Sequence, residues 1–467
     1  MEEWFYSLKS VICIRPVPPA PRKILDLTLA MFRLLLKPPK RLGLTPKPVY
    51  NSATNQWRSI TASAIRLSDA VPPVTSIEKL ILEHVKAVGP MSYATYMQFC
   101  LSHPTEGYYM KSANNIFGAQ GDFITSPDIS QIFGEMIAVW LLSQWEAAGC
   151  PPSIRLVELG PGRGTLITDI LRVITTISKK LSQPLAVQVH LVETSLFLRE
   201  IQSRRLSVAP TSVQWHESID HITPSDDSFT MLVAHEFFDA LPVHVFRKTE
   251  EGWKEMMVSS RINKSEDANS EQYPRLQHVL SPETTAISNI FGNSSSRFQS
   301  LPVGSDLEVS PTSFRLARKV GELLAKRETP TSSSPGGCGL IIDYGRDHAF
   351  GSSRRGFKDH DVVDIFYRPG ECDLTANVDF AYLKEAMQDL IPVYGPMSQN
   401  TFLSQMGFTI RLERLLQSNQ GDQAKTDRIF EGAKRLIDPV HMGEEYSVMG
   451  ISTNEGPIHP FSVYHPQ

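Results

Sequence analysis

The stretch Ile154-Arg-Leu-Val-Glu-Leu-Gly-Pro-Gly-Arg-Gly164 decides how the chain is to be read. Ile154, Leu156, Val157 and Leu159 form a near-continuous apolar run, which suits a central parallel strand covered on both faces. Gly160, Gly162 and Gly164 then permit a tight turn and a close approach of backbone to ligand, because no Cβ intervenes. From Thr165 the spacing is helical, so a helix N-terminus follows directly. Strand, glycine turn and helix together point to a nucleotide-type site in a doubly wound α/β sheet. The alternative is a tight strand-to-helix turn whose glycines are structural.

The dinucleotide fingerprint is G-x-G-x-x-G, and here the third glycine arrives one residue early, as G-x-G-x-G. A diphosphate needs the anion-binding helix start that the longer spacing supplies. Glu158, just before the first glycine, would repel a pyrophosphate and attract a cation. An adenosine-bearing cation is S-adenosyl-L-methionine, and Glu158 with Gly160, Gly162 and Gly164 is expected to hold its methionine end.

Downstream, Leu185–Val192 reads as a second strand. It ends in Glu193, at the position where doubly wound folds hold ribose hydroxyls. Helix 195–206 and a short strand at Val213–Trp215 follow. Phe229–Ala234 is the next strand, and His235-Glu-Phe-Phe-Asp-Ala-Leu-Pro242 leaves its carboxyl end, where ligands bind in open α/β sheets. Glu236 and Asp239 therefore stand at the chemical edge, against a plainer reading as a capping acid and a solvated one. Residues 243–309 break the rhythm with a hairpin around Glu250-Glu251-Gly252, a β-rich insertion placed to choose substrates. Helix 312–326 and strand Gly339–Tyr344, which carries Asp343, restore it. Helices are predicted over 380–390, 399–406 and 408–418, and Glu445–Thr453 as an antiparallel edge strand.

Upstream, 74–105 is helical, with Ser76 as a cap and a second helix from Ser92. Gly121-Asp-Phe-Ile-Thr-Ser-Pro precedes a helix that Ser126 or Asp128 could cap. Asp122 is expected in a loop covering the cofactor.

The chain has 467 residues, 41% hydrophobic and 21% charged, ordinary for a globular protein. Its five cysteines are scattered, which argues against a disulfide framework or zinc knuckle, and no metal site is expected. The net charge of −4 conceals an asymmetry, because residues 1–70 carry +7 and the remainder −11. An acidic folded part disfavours nucleic acid and suits a cationic protein substrate. No transmembrane segment is expected, since Ile24–Leu36 is too short and contains Asp26 and Arg33. Residues 27–68 hold seven basic and no acidic residues, the composition of a mitochondrial presequence, with Met31 a candidate start; a disordered basic tail is the alternative. The expected division is thus a leader at 1–70, a helical cap and lid loop at 71–135, and the main α/β domain at 136–467.

The chain resembles the MidA-type methyltransferases, the family of a mitochondrial complex I assembly factor that methylates a protein arginine. The resemblance rests on Gly121-Asp-Phe-Ile-Thr-Ser-Pro through Trp140, Val157–Thr165, Leu191-Val-Glu, Glu236-Phe-Phe-Asp-Ala-Leu-Pro242, Leu340-Ile-Ile-Asp-Tyr-Gly345 and Asp373-Leu-Thr-Ala-Asn-Val-Asp-Phe380. The chain departs in having His235 where the family usually has Asn, and in its first 70 residues, which match nothing. The resemblance implies a class I (Rossmann-like) S-adenosyl-L-methionine-dependent methyltransferase fold. It also implies methyl transfer to an arginine of a core subunit of respiratory complex I in the mitochondrial matrix. A guanidinium is a delocalised cation, so a site for it needs carboxylates that hold it and take a proton; Glu236 and Asp239 are assigned to that clamp, with Asp343 a weaker candidate. A non-catalytic assembly factor, a methyltransferase for another acceptor, and a nicotinamide oxidoreductase (disfavoured by the short glycine spacing) are the competing readings.

Overall fold

The apolar run at 154–159 is a strand, Ser153–Leu159, inside an eight-stranded sheet whose eighth strand, Val378–Asp379, pairs with the end of Gly337–Arg346. In the computed structural model the residues described are 72–111, 125–207, 211–261, 273–328 and 333–461. The basic leader, Asp122 with its loop, and the polar stretch 263–272 lie outside them. Across the sheet the order is Ser212–His216, Ala186–Val192, Ser153–Leu159, Phe229–His235, Gly337–Arg346, Tyr446–Ser452 and Val393–Ser398. The strands are parallel except Tyr446–Ser452, which runs against both neighbours. The expected antiparallel strand is therefore present, one position in from the edge that Val393–Ser398 occupies.

Alternation places Val157, Leu159, Leu232, Ala234 and Ile341 on one face, under Ala317, Val320 and Leu324 of helix Pro311–Leu324 and Leu383 and Met387 of helix Phe380–Met387. Each Val, Leu, Ile or Met side chain among them contributes about 1.5–3 kcal/mol on removal from water. Helices Gln131–Ala147 and Thr165–Ser178 pack on each other. Trp140 is fully buried, and its indole N–H donates to His459 O at 3.0 Å.

Two caps differ from the sequence reading, and one helix is additional to it. Thr75, not Ser76, starts the first helix by accepting from Glu78 N at 3.0 Å. Residues Ser126–Ile129 form a separate short turn, so Ser130 caps Gln131–Ala147. A further helix, Gln423–Ile437, is capped by Asp422.

The insertion builds a second, antiparallel sheet from His244–Thr249, Gly252–Ser260, Leu276–Leu280 and Asp306–Val309. Its fifth strand is Met91–Ser92, from the N-terminal helical segment, set against Met257 and Val258. The two segments share one core, in which Ile77, Ile81, Tyr93, Met97 and Leu101 pack with Val243, Val245, Val258 and Leu276. A small sheet of Arg355–Lys358, Asp361–Val363 and Asp373–Thr375 completes the wall over the main sheet's carboxyl edge. Among the described residues, no helix is long and apolar enough to cross a membrane.

Candidate active site

The glycine turn adopts the conformation its composition permits. Gly160 and Gly162 have φ of +62° and +51°, in the left-handed region that costs other residues about 1–2 kcal/mol. Gly160 N donates to Val192 O at 3.0 Å, and a Cβ there would meet the Phe237 ring at 2.8 Å. Gly164, at φ +73°, is the N-cap of helix Thr165–Ser178 and does not line the cavity. There it turns the chain into the helix.

A cavity of about 390 Å³ opens at the carboxyl edge. At one end stand Glu158, Gly160, Gly162 and Glu193, and at the other Glu236, Asp239, Tyr344 and Asp373. Glu158 is 3% exposed, and its Oε2 has no hydrogen-bond partner. Burial pushes its carboxyl up to about 8, so the ligand-free site holds it largely neutral at pH 7. A buried carboxyl beside the glycine turn, with one oxygen unpartnered, fits a cationic ligand such as the methionine end of S-adenosyl-L-methionine. Glu193 is fixed by Ser195 N at 2.8 Å and Gln202 Nε2 at 3.2 Å, and burial raises its pKa. The same Gln202 amide donates to Gly162 O at 2.8 Å, while its oxygen accepts from Trp215 Nε1 at 2.9 Å. One fully buried side chain therefore ties the turn to the acid, a link that sequence reading missed.

The far end is acidic. Glu236 has φ +50°, and its backbone N–H donates to Ile342 O at 3.0 Å. Its Oε1 accepts from the Tyr446 hydroxyl and lies 3.7 Å from His235 Nε2. Burial, followed by the charges of Asp239, Asp373 and Asp128, outweighs the Tyr446 hydrogen bond and raises Glu236 to about 8. Asp239 is 5% exposed and is likewise pushed up, by burial first and then by Asp343 and Asp373, with Arg355 opposing.

Asp343 belongs elsewhere. It is fully buried and does not line the cavity. Its Oδ2 accepts from the backbone N–H groups of Phe237, Phe238 and Asp239 at 3.2, 2.9 and 3.3 Å, and Oδ1 from Tyr344 N at 2.9 Å. It is the brace of the Glu236–Asp239 loop, a correction to its assignment in the clamp. Asp373 also faces the cavity on the side of Glu236 and Asp239; it is 4% exposed, and its Oδ1 accepts from Tyr109 OH at 2.7 Å. Its sequence segment was distinctive, but nothing local told it apart from Asp379, which caps the next helix.

Residues 136–397 match a family described as "Putative S-adenosyl-L-methionine-dependent methyltransferase". The chain is 37% identical to the zebrafish (Danio rerio) protein arginine methyltransferase NDUFAF7, mitochondrial, over 81% of this chain and 88% of that one. It is 35% identical to the human protein of the same name, over 81% and 84%. A crystal structure of a COG1565 superfamily member from Burkholderia thailandensis, bound to S-adenosyl-homocysteine, has the same fold. It aligns with a TM-score of 0.63 at 24% identity, covering 81% of this chain and 92% of that one.

Proposed function

The chain belongs to this family of S-adenosyl-L-methionine-dependent methyltransferases, and on that premise we propose that it methylates an arginine of a protein, namely a core subunit of respiratory complex I, in the mitochondrial matrix. The observation that carries the acceptor is the trio Glu236, Asp239 and Asp373 facing one end of the cavity. Three buried carboxyls crowded together repel one another when ionised, and a planar cation with several donors relieves that repulsion. The relatives named for arginine methylation support the same acceptor.

Bound at the glycine turn, S-adenosyl-L-methionine supplies a methyl group on a sulfonium for in-line displacement. Glu158, Gly160 and Gly162 hold the methionine end and Glu193 the ribose. Glu236 and Asp239 grip the guanidinium and turn one nitrogen toward the methyl group. Such positioning in a water-poor cavity is the larger part of catalysis for a displacement of this kind. Asp343 keeps the loop in register. Residues 1–70 serve as the presequence and 71–135 as the cap.

Transfer of labelled methyl from S-adenosyl-L-methionine into isolated complex I subunits, with mapping of the product, tests the reading. Label on an arginine is expected, and Glu236→Gln is expected to abolish it while leaving cofactor binding intact. Cofactor-site variants that still support complex I assembly would mean a non-catalytic assembly factor. Label on a non-protein acceptor would move the acceptor class.

A further inference from the structure

His235 ends the strand Phe229–His235, is 7% exposed, and lines the cavity beside Glu236. Two rings fix its plane. Phe133 stands edge-on at 5.1 Å, and Tyr446 lies parallel at 6.0 Å with an interplanar angle of 4°. Its Nε2 is buried and has no hydrogen-bond partner. A buried polar atom left unpaired is costly, so the arrangement points to a partner that arrives with the ligand. The nearest acid is Glu236, whose Oε1 is 3.7 Å away and already accepts from the Tyr446 hydroxyl.

We propose that His235 Nε2 is the atom that takes the proton from the acceptor nitrogen during transfer, while Glu236 anchors the guanidinium and then steadies the imidazolium. The proposal rests on the arginine reading above. In the step, the nitrogen's lone pair forms the N–C bond as the S–C bond breaks, and the S–C electron pair remains on sulfur. The nitrogen, now carrying four bonds, releases a proton to Nε2. A guanidinium in its ground state is far too weak an acid for imidazole to deprotonate. As the N–C bond forms, resonance at that nitrogen is lost and its proton becomes strongly acidic, so a neutral, weakly basic group suffices. Burial holds His235 down to about 3, which keeps it neutral before the ligand binds. The groups around it do not compete for the proton. Tyr446 donates to Glu236, and Glu135 on the helix that carries Phe133 is engaged by Arg172 and Arg411. Asp239, Asp373 and Asp128 act on Glu236, and with a guanidinium bound their charge is offset.

The test is the pH dependence of methyl transfer to an arginine-bearing complex I subunit, for the wild type, His235→Asn and His235→Gln. In the loaded complex Glu236, ionised against the guanidinium and 3.7 Å from Nε2, favours the imidazolium and lifts His235 above its resting value of about 3, so wild-type kcat is expected to fall on the acid side as His235 becomes protonated. In both variants that limb is expected to disappear. Their kcat should drop about 10²-fold, the lower end for a proton-transfer group, with the acceptor KM and the S-adenosyl-homocysteine Kd within about twofold of wild type. Variants with wild-type kcat and an unchanged acid limb overturn the proposal, as does a change confined to KM. Should a variant fail to fold, as read by its melting temperature, the wild-type profile decides, and a kcat independent of pH on the acid side refutes the role. A wild type that labels no arginine refutes the arginine reading itself, and the proton acceptor falls with it.

Discussion

Glu158→Gln separates a ligand-facing carboxyl from a structural one. In the ligand-free protein Glu158 is 3% exposed, lacks a partner at Oε2, and is held up to about 8 by burial. At pH 7 a group of that pKa is about 90% protonated. A cation bound against it favours the ionised form, so cofactor binding at pH 7 should release close to one proton, about 0.9, from this site. Calorimetric titration with S-adenosyl-L-methionine in buffers of differing ionisation enthalpy reads that number directly. The difference between wild type and Glu158→Gln isolates Glu158 from any other titrating group. The same carboxyl affects ligand-free stability. Because the folded state binds this proton more tightly than the unfolded chain, stability from this group is full below about 4.5 and is lost as pH rises toward about 8. The upper bound is roughly 5 kcal/mol, and the variant should flatten that slope. Proton release near zero in the wild type despite tight binding, or equal release in the variant, would refute the reasoning.

Asp343→Ala should lower stability by about 4 kcal/mol by chemical denaturation, since four backbone N–H groups lose their acceptor. Asp343→Asn, which keeps one oxygen for the three loop amides, should cost about half as much, and an equal loss in the two would contradict the brace. Gly160→Ala should destabilise by about 1–3 kcal/mol and weaken cofactor affinity, because the new methyl meets the Phe237 ring and the backbone is left-handed. Acceptor binding should strengthen as pH rises toward about 8, where Glu236 ionises. Tyr446→Phe removes a hydrogen bond that lowers this pKa, so the rise should move to higher pH, read as the acceptor KM against pH.

The strand and turn at 153–164 were legible because burial on two faces and positive φ both leave marks in composition. Glu158, Gly160, Gly162, Glu193, Glu236 and Asp239 were placed at the cavity by the same logic, since each lies at or just beyond the carboxyl end of a strand. Asp343 stands in an equivalent position, yet its side chain meets three amides of the neighbouring strand's loop, and only the tertiary pairing reveals that direction. Asp373, Tyr109 and Gln202 were missed for a related reason. Their partners lie at a distance in the chain, and no local spacing records them. Val393–Ser398 was hidden by Gly395-Pro396, which reads as a turn but is tolerated on an outer strand. Helix Gln423–Ile437 was overlooked although Ile429, Ala433, Leu436 and Ile437 recur at helical spacing.

The strand Met91–Ser92 has a consequence for how the chain matures. Synthesis delivers the N-terminal helices first, but the residues that cover their apolar face, from Val243 to Leu276, come much later. Until those emerge, Ile77, Ile81, Met97 and Leu101 have no complete core to join, and the contacts that rescue them are of long sequence separation and slow to form. The nascent chain therefore presents a prolonged sticky interval of the kind that holdase chaperones cover. A fragment ending before the insertion would never leave it.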